Sequence, residues 1–226
     1  AVAGRGSGPL TTVTPLLVGA AALGGTAVVG TVVGRKMLSG MAQTGRALDP
    51  GFATPPADAE VSGGPGSVVA MADLGREGAR FVGSVSLPDD IRQVTGQEPV
   101  ASPVRVFVGV DAATTPEQRV ALAMSELRRT GAFDRAHLLI QAPAGSGYAN
   151  SFPVDIVEVL SRGDSAAVAI GYGLLPSFLS LGKRRLAALT QRLLLDAIAD
   201  ELRDRPTRPR ILLYGESLGA GVQEMA

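Results

Sequence analysis

The amino-acid sequence predicts an α/β fold, with a mostly parallel sheet covered by helices on both faces. Two observations support this prediction. After residue 103, short and mostly apolar β-rich runs alternate with segments of helical periodicity, as is typical of parallel strands buried between two layers of helices. The last of these runs leads directly into a Gly-rich turn, Gly215-Glu216-Ser217-Leu218-Gly219. Right-handed crossovers between such strands place them side by side in one sheet.

The elements after residue 103 have their own start and stop signals. Thr115 supplies the N-cap of the first helix, Pro116 occupies its first turn, and Gly131 ends it. The longest helix carries an apolar stripe and ends before Pro206, which cannot continue it. The predicted strands are 104–110, 137–141, 165–172 and 211–214, and the predicted helices are 116 to about 130, 153–161, 184–203 and 218–224.

The first third of the chain has a different character. Residues 10–33 contain no charged residue and are followed by Arg35 and Lys36, so their length and polarity match a membrane-spanning helix. A Gly-rich flexible arm or a buried helix is the alternative interpretation. We therefore predict a transmembrane helix with its flanks over residues 1–38. Residues 39–103 are predicted to form a linker and irregular covering segment with a helix start at Pro88-Asp89-Asp90, before the α/β region 104–226.

Composition excludes several classes of function. The chain has 21 basic and 21 acidic residues and no basic run, which argues against nucleic acid as a partner. It has no Cys and a single His, His137, so a thiolate metal site, a Cys nucleophile and a site with two imidazoles are excluded for this chain alone. We expect no cofactor and no bound metal.

Ser217 is the strongest candidate for a catalytic residue. It lies in a G-x-S-x-G motif between a predicted buried strand and a predicted helix, which is the context of the nucleophile turn in α/β-hydrolases. Side chains at Gly215 and Gly219 would collide across that sharp turn. Glu216 is the turn residue directly before the serine. A structural Gly-rich turn in another doubly wound fold is the alternative interpretation.

Two sets of backbone N–H groups are candidates for binding an oxyanion. One is the N–H of Leu218, directly after the serine. The other lies in the loop 142–151 after the second strand, where Ser146 or Gly147 is the candidate because little side-chain bulk lets the main chain approach a substrate. The alternative interpretation is that this stretch is an ordinary Gly-containing loop between a strand and a helix.

Three further side chains are possible pocket residues. Asp111 follows the first strand at the carboxyl edge of the sheet, where it could orient a substrate or cap the following turn. Tyr148 lies in the loop after the second strand, Tyr172 is the last residue of the predicted third strand, and both are plausible neighbours of the pocket.

A serine nucleophile needs a base, and in this fold the acid and the His follow the serine along the chain. Neither can lie in residues 218–226, and His137 begins a strand at the opposite end of the sheet from the site. We therefore expect this chain to be part of a longer protein whose C-terminal part supplies the acid and the His. The sheet would then be incomplete at its C-terminus, with 104–226 as the N-terminal half of the domain, and this chain alone would be inactive.

Six sequence runs together are more specific than the turn alone. They are VSGGPGS at 61–67, LGREG at 74–78, RVFVGVD at 105–111, ELRRTGAFDR at 126–135, LPSFLSL at 175–181 and GESLG at 215–219. This set resembles the actinobacterial membrane-anchored α/β-hydrolase family. The resemblance covers about residues 55–221 and implies a serine hydrolase domain behind a multi-helix region in the bacterial cell membrane. Gly171 and Gly173 depart from the family pattern, in which larger polar residues are expected.

The sequence thus predicts a membrane-associated serine hydrolase, esterase-like or lipase-like, that cleaves acyl esters through Ser217. Its expected partners are an acyl-ester or lipid substrate, the membrane, and the remaining C-terminal part of the same protein. On which side of the membrane the hydrolase domain lies is left open. Two alternatives are a non-catalytic membrane-tethered α/β module that binds a partner or lipid, and an acyltransferase that uses the same serine.

Overall fold

The computed structural model describes residues 36–174 and 181–226. The chain divides into two compact units, 1–41 and 42–226, and a helix, α1, occupies residues 36–46. Across the described ranges, no helix combines the length and the apolar character needed to cross a membrane. The membrane helix predicted over 10–33 lies outside the described residues.

The sheet consists of four parallel strands in the order β1-β3-β2-β4. The strands are β1 (Val104–Val108), β2 (His137–Ala142), β3 (Ser165–Ile170) and β4 (Arg210–Gly215). The helices after α1 are α2 (Met71–Gly83), α3 (Pro88–Thr95), α4 (Pro116–Arg129), α5 (Phe152–Leu160), α6 (Arg184–Arg203) and α7 (Leu218–Met225). Strands and helices alternate after residue 103, which confirms the predicted α/β fold with a parallel sheet.

The strand order determines which loops meet. β2 pairs with β3 on one side and with β4 on the other, and five of its six residues are buried. In the β2–β4 register, Ala142 lies opposite Gly215. The loops that follow β2 and β4 therefore start side by side at the carboxyl edge of the sheet, where open parallel sheets bind their ligands.

Element boundaries follow the local sequence signals closely. Thr115 caps α4, because its hydroxyl accepts from the Gln118 N–H (3.3 Å) while the Gln118 side chain accepts from the Thr115 N–H (3.2 Å). α6 spans Arg184–Arg203, as predicted. Two strands are shorter than predicted: β1 ends at Val108 and β3 at Ile170, because this residue pair is the last in the ladder between them.

The segment 39–103 contains more regular structure than was predicted. α3 begins at Pro88, as its sequence indicated, but α2 was not expected because glycines interrupt its helical pattern. One of them, Gly75, has a φ of 65° within α2. The helix packs against β1 and buries Phe81 in the core beneath the sheet. Residues 42–103 belong to the same compact unit as the sheet.

β1 carries a fully buried cation, Arg105. Its guanidinium binds Glu158 of α5 through two hydrogen bonds of 2.6 and 2.8 Å and also contacts Asp155. Its Nη1 donates to the carbonyl oxygen of Phe81 at 2.8 Å. Two carboxylates thus compensate the buried charge, and the network connects α2 and α5 to β1.

α4 carries a fully buried anion, Glu126. The carboxylate accepts from Ser62 Oγ (2.9 Å) and from the Val68 N–H (2.7 Å), and it pairs with Arg129 at 2.9 Å. Burial alone would raise the pKa of Glu126, but the hydrogen bonds from Arg129, Val68 and Ser62 outweigh burial and lower the pKa below its ordinary value. The hydrogen bonds from Ser62 and Val68 to this carboxylate hold the segment 62–68 against α4.

We expect Glu126→Gln to lower the free energy of unfolding at pH 7 by about 2 kcal/mol, because a buried carboxylate with several donors is lost. Since the folded-state pKa is lowered, the contribution is complete above the unfolded-state pKa of about 4.3 and disappears as the pH falls through the folded-state value. Urea unfolding over a pH series measures the effect. The difference from wild type should shrink below about pH 4. Glu224→Gln, at an exposed carboxylate, is the control, and a pH-independent difference for Glu126→Gln would contradict the assignment.

Candidate active site

Ser217 lies at the sharp turn between β4 and α7. Its backbone has φ 55° and ψ −122°, and it is one of two non-Gly residues with positive φ among the described residues. Such a conformation costs a non-Gly residue roughly 1–3 kcal/mol and persists only where the surrounding structure determines it. The residue is exposed beyond the carboxyl end of β4. A strained, exposed serine at a strand-to-helix turn has the geometry of a nucleophile turn.

Close main-chain contacts explain the two glycines of the turn. A Cβ on Gly215 would lie 2.6 Å from the carbonyl oxygen of Gly219. A Cβ on Gly219 would lie 2.1 Å from the carbonyl oxygen of Ala142 and 2.9 Å from that of Pro143. The start of α7 therefore packs directly against the end of β2, and a side chain at either glycine would force main-chain atoms apart.

The N–H of Leu218 is a free donor next to the serine. It is the first N–H of α7 and has no acceptor within the described part of the chain. By contrast, the Gly219 N–H donates to the Glu216 carbonyl oxygen (2.9 Å) and the Ala220 N–H donates to that of Ser217 (3.2 Å). The partial positive charge of a helix N-terminus adds to this donor. The position suits an oxyanion that develops beside Ser217.

The loop after β2 forms a tight turn in which the two predicted donors, the N–H groups of Ser146 and Gly147, differ in their hydrogen bonding. The N–H of Gly147 (φ 85°) donates to the Ala144 carbonyl oxygen at 2.9 Å, and the Ala144 N–H donates to that of Tyr148 at 2.8 Å. The Ser146 N–H has no acceptor among residues 36–174 and 181–226. Within the described ranges, the Ser146 N–H is thus the donor without an acceptor, whereas the Gly147 N–H is engaged within the turn.

A side-chain hydrogen bond ties this loop to the serine turn. Asn150 Nδ2 donates to Glu216 Oε2 at 2.8 Å, and Asn150 Oδ1 accepts from the Phe152 N–H at the start of α5 (3.1 Å). The Tyr214 hydroxyl donates to the same Glu216 oxygen at 3.2 Å, and its pKa is raised by burial and by that carboxylate. Sequence reasoning singled out neither residue: the partner of Asn150 lies 66 positions away and leaves no local pattern, and Tyr214 was considered only as part of the strand before the turn.

Asp111 and Tyr172 line a cleft of about 530 Å³ at the carboxyl edge beside β1 and β3. Tyr172 also packs in one buried cluster with Ala142 and Val222, against which Leu218 lies, so it borders the serine turn as well. Asp111 is bound there by Arg46 through hydrogen bonds of 2.6 and 2.9 Å. The Tyr172 hydroxyl donates to the Pro143 carbonyl oxygen at 2.8 Å, and burial raises the pKa of Tyr172 to about 12. Ser217 is not among the lining residues, which are Val110, Asp111, Ala112, Ala113, Thr114, Pro116, Arg119, Tyr172, Lys183 and Leu186.

His137 and Tyr148 complete the candidates. His137 lies at the amino end of β2, opposite Arg210, whereas Ser217 follows the carboxyl end of β4. The only His of the sequence therefore cannot act as the base for Ser217 within this chain. Tyr148 is 42% exposed on the loop after β2. The described residues contain no group of carboxylate and imidazole side chains that could hold a metal ion.

Comparison with known proteins classifies the chain independently. A model of an alpha/beta-hydrolase family matches residues 104–226, more than half of the chain, and a model of an alpha/beta-hydrolase family N-terminus matches residues 8–85. None of the curated proteins or solved structures compared with the chain matches it. The first match begins where β1 begins and includes the turn at Ser217. The chain therefore belongs to an α/β-hydrolase family.

Proposed function

We propose that this chain provides the nucleophile of a serine hydrolase that cleaves acyl esters, with Ser217 as the attacking residue. The observation that carries the proposal is the positive φ of 55° at an exposed, non-Gly residue between β4 and α7. Gly adopts such a backbone without strain, so a purely structural turn has no need of serine at this position. Membership of an α/β-hydrolase family supports hydrolase activity in general terms.

In the proposed reaction, Ser217 Oγ attacks the carbonyl carbon of the ester. The oxyanion that develops accepts hydrogen bonds from the Leu218 N–H and from the Ser146 N–H. The alcohol leaves with a proton, and water then cleaves the acyl-enzyme to release the acid and free Ser217. The base that takes the serine proton is proposed to come from a part of the protein outside these 226 residues, since His137 lies at the other end of the sheet. By itself, this chain is not expected to hydrolyse acyl esters.

A membrane location is part of the proposal and rests on the uncharged segment 10–33. A lipid ester is the substrate class that such a location makes accessible. Flotation of the full-length protein with lipid vesicles tests the location, and a variant without residues 10–33 is the control. We expect the full-length protein to float and the variant to float less, whereas a full-length protein that stays in the dense fraction would contradict the location.

Turnover of p-nitrophenyl acyl esters by the full-length protein, with and without an added alcohol, tests the reaction. Free acid as the main product supports hydrolysis. An ester of the added alcohol as the main product would assign acyl transfer through the same acyl-enzyme. A folded protein that turns over no acyl ester would overturn the proposal.

Asn150→Ala is expected to lower kcat/KM for these esters about tenfold, because the loop that carries Ser146 loses its tether to Glu216 and a small misplacement of a donor is costly. The matched control is Ser151→Ala, since the neighbouring Ser151 side chain makes no capping hydrogen bond at α5. Steady-state kinetics of both variants measure the effect. An Asn150→Ala protein with wild-type kcat/KM would show that the tether does not position the donor.

A further inference from the structure

The cleft beside β1 and β3 contains a buried cation without a carboxylate partner. Arg119 is 3% exposed and lines the cleft. Its Nη1 donates to the Ala113 carbonyl oxygen at 3.0 Å, but its Nε has no acceptor, and it takes part in none of the ion pairs formed among the described residues. Burial lowers the pKa of Arg119, and the charge of Glu117 offsets this only in part. By contrast, two carboxylates compensate the buried charge of Arg105.

The other charges of the cleft leave it positive. Lys183, which precedes α6, also lines the cleft and forms no ion pair within the described ranges. The single lining carboxylate, Asp111, is already neutralised by Arg46 through two hydrogen bonds. Thr114 adds an exposed hydroxyl to the wall. Two cations and a hydroxyl therefore surround a space whose volume of about 530 Å³ is in the range of small-molecule sites.

We propose that this cleft binds the oxyanion group of a small molecule, a carboxylate or a phosphate, through the Arg119 guanidinium and the Lys183 ammonium, with the Thr114 hydroxyl as a further donor. Guanidinium groups bind both classes of oxyanion with charge-assisted hydrogen bonds. A buried and uncompensated cation is costly, and an incoming anion removes that cost. The proposal does not depend on the role of Ser217, which lies outside the lining of the cleft.

The stability of the free protein distinguishes this role from a structural one. If Arg119 were a structural residue, Arg119→Met would lower Tm. If Arg119 instead serves an anion site that is empty in the free protein, Arg119→Met removes an unpaired buried charge, so Tm should stay unchanged or rise. The same variant should lose anion binding. A clear fall in Tm together with unchanged binding of the preferred anion would overturn the proposal.

Calorimetric titration of the full-length protein with inorganic phosphate and with acetate tests the binding itself. The titrations use the Ser217→Ala variant, so the outcome is independent of any reaction at Ser217. We expect Lys183→Ala, at an exposed side chain that the fold does not require, to weaken binding of the preferred anion about tenfold. The matched control, Arg185→Ala, removes an exposed charge of α6 that does not line the cleft, and it should bind like the parent.

The two anions separate the possible ligand classes. Tighter binding of phosphate assigns the cleft to phosphorylated ligands, and tighter binding of acetate assigns it to carboxylates. Binding of neither anion, or binding that is unchanged by both Lys183→Ala and Arg119→Met, would overturn the proposal. Equal weakening by Arg185→Ala would do so as well, because it would indicate a diffuse surface charge effect.

Discussion

Ser217→Ala is expected to lower kcat for acyl-ester turnover by the full-length protein about 10⁴-fold to 10⁶-fold, which is the scale of losing a catalytic serine. The reason is chemical, because alanine has no oxygen to form the acyl-enzyme, while the N–H of Leu218 stays in place. The fold should be retained, since alanine needs no more space than serine. The strained φ of 55° remains at this position, so we expect little change in Tm.

Steady-state kinetics and thermal unfolding of the same preparations measure this result. Ser125→Ala is the matched control: Ser125 is an exposed serine of α4, far along the chain from the turn, and its substitution should leave kcat unchanged. A Ser217→Ala protein that keeps more than about a tenth of wild-type kcat would show that another residue is the nucleophile.

Gly219→Ala is expected to have the second largest effect. The new Cβ would lie 2.1 Å from the Ala142 carbonyl oxygen and 2.9 Å from that of Pro143, so α7 and the end of β2 must move apart. Overpacking of this kind costs about 1–3 kcal/mol or more. The same movement displaces the Leu218 N–H from the loop that carries Ser146. Because a misplacement of about 1 Å can cost 10²-fold in rate, kcat/KM should fall by about that factor.

The effect of Gly219→Ala has a close control on the same helix. A Cβ on Gly221 would meet only the far end of the Arg184 side chain, at 2.6 Å, and that side chain can move aside. Gly221→Ala should therefore retain kcat/KM within about twofold, and its Tm should not fall, because Ala is favoured over Gly in a helix interior. If Gly219→Ala and Gly221→Ala behaved alike in kinetics and unfolding, the close approach of α7 to β2 would not control the site.

Much of the sheet region could be predicted because its signals are local. The Thr115 cap, the apolar stripe of α6 and the proline after it each act within a few residues, and α6 accordingly has the bounds that its sequence indicates. The turn at Ser217 also has a local signal, since Gly215 and Gly219 lack the Cβ atoms that its close main-chain contacts would not accommodate. These features depend on neighbours along the chain.

Features that depend on contacts between distant residues could not be predicted in this way. α2 contains Gly75 in a non-helical conformation, and packing against β1 stabilises the helix. No periodic pattern in the sequence reveals this packing. The bond from Asn150 to Glu216 joins residues 66 positions apart. Arg119 occurs in a charged, amphipathic helix, where a solvent-exposed position would be the ordinary expectation. Its burial depends on how α4 packs and not on its sequence context.

The most direct test of the central claim is the position at which an activated-serine probe reacts. The full-length protein is treated with a fluorophosphonate, digested, and examined by tandem mass spectrometry for the phosphonylated residue. We predict a single adduct on Ser217 Oγ in the wild type and no adduct in Ser217→Ala. An adduct at another serine, or equal labelling of wild type and Ser217→Ala, would contradict the assignment of Ser217 as the nucleophile.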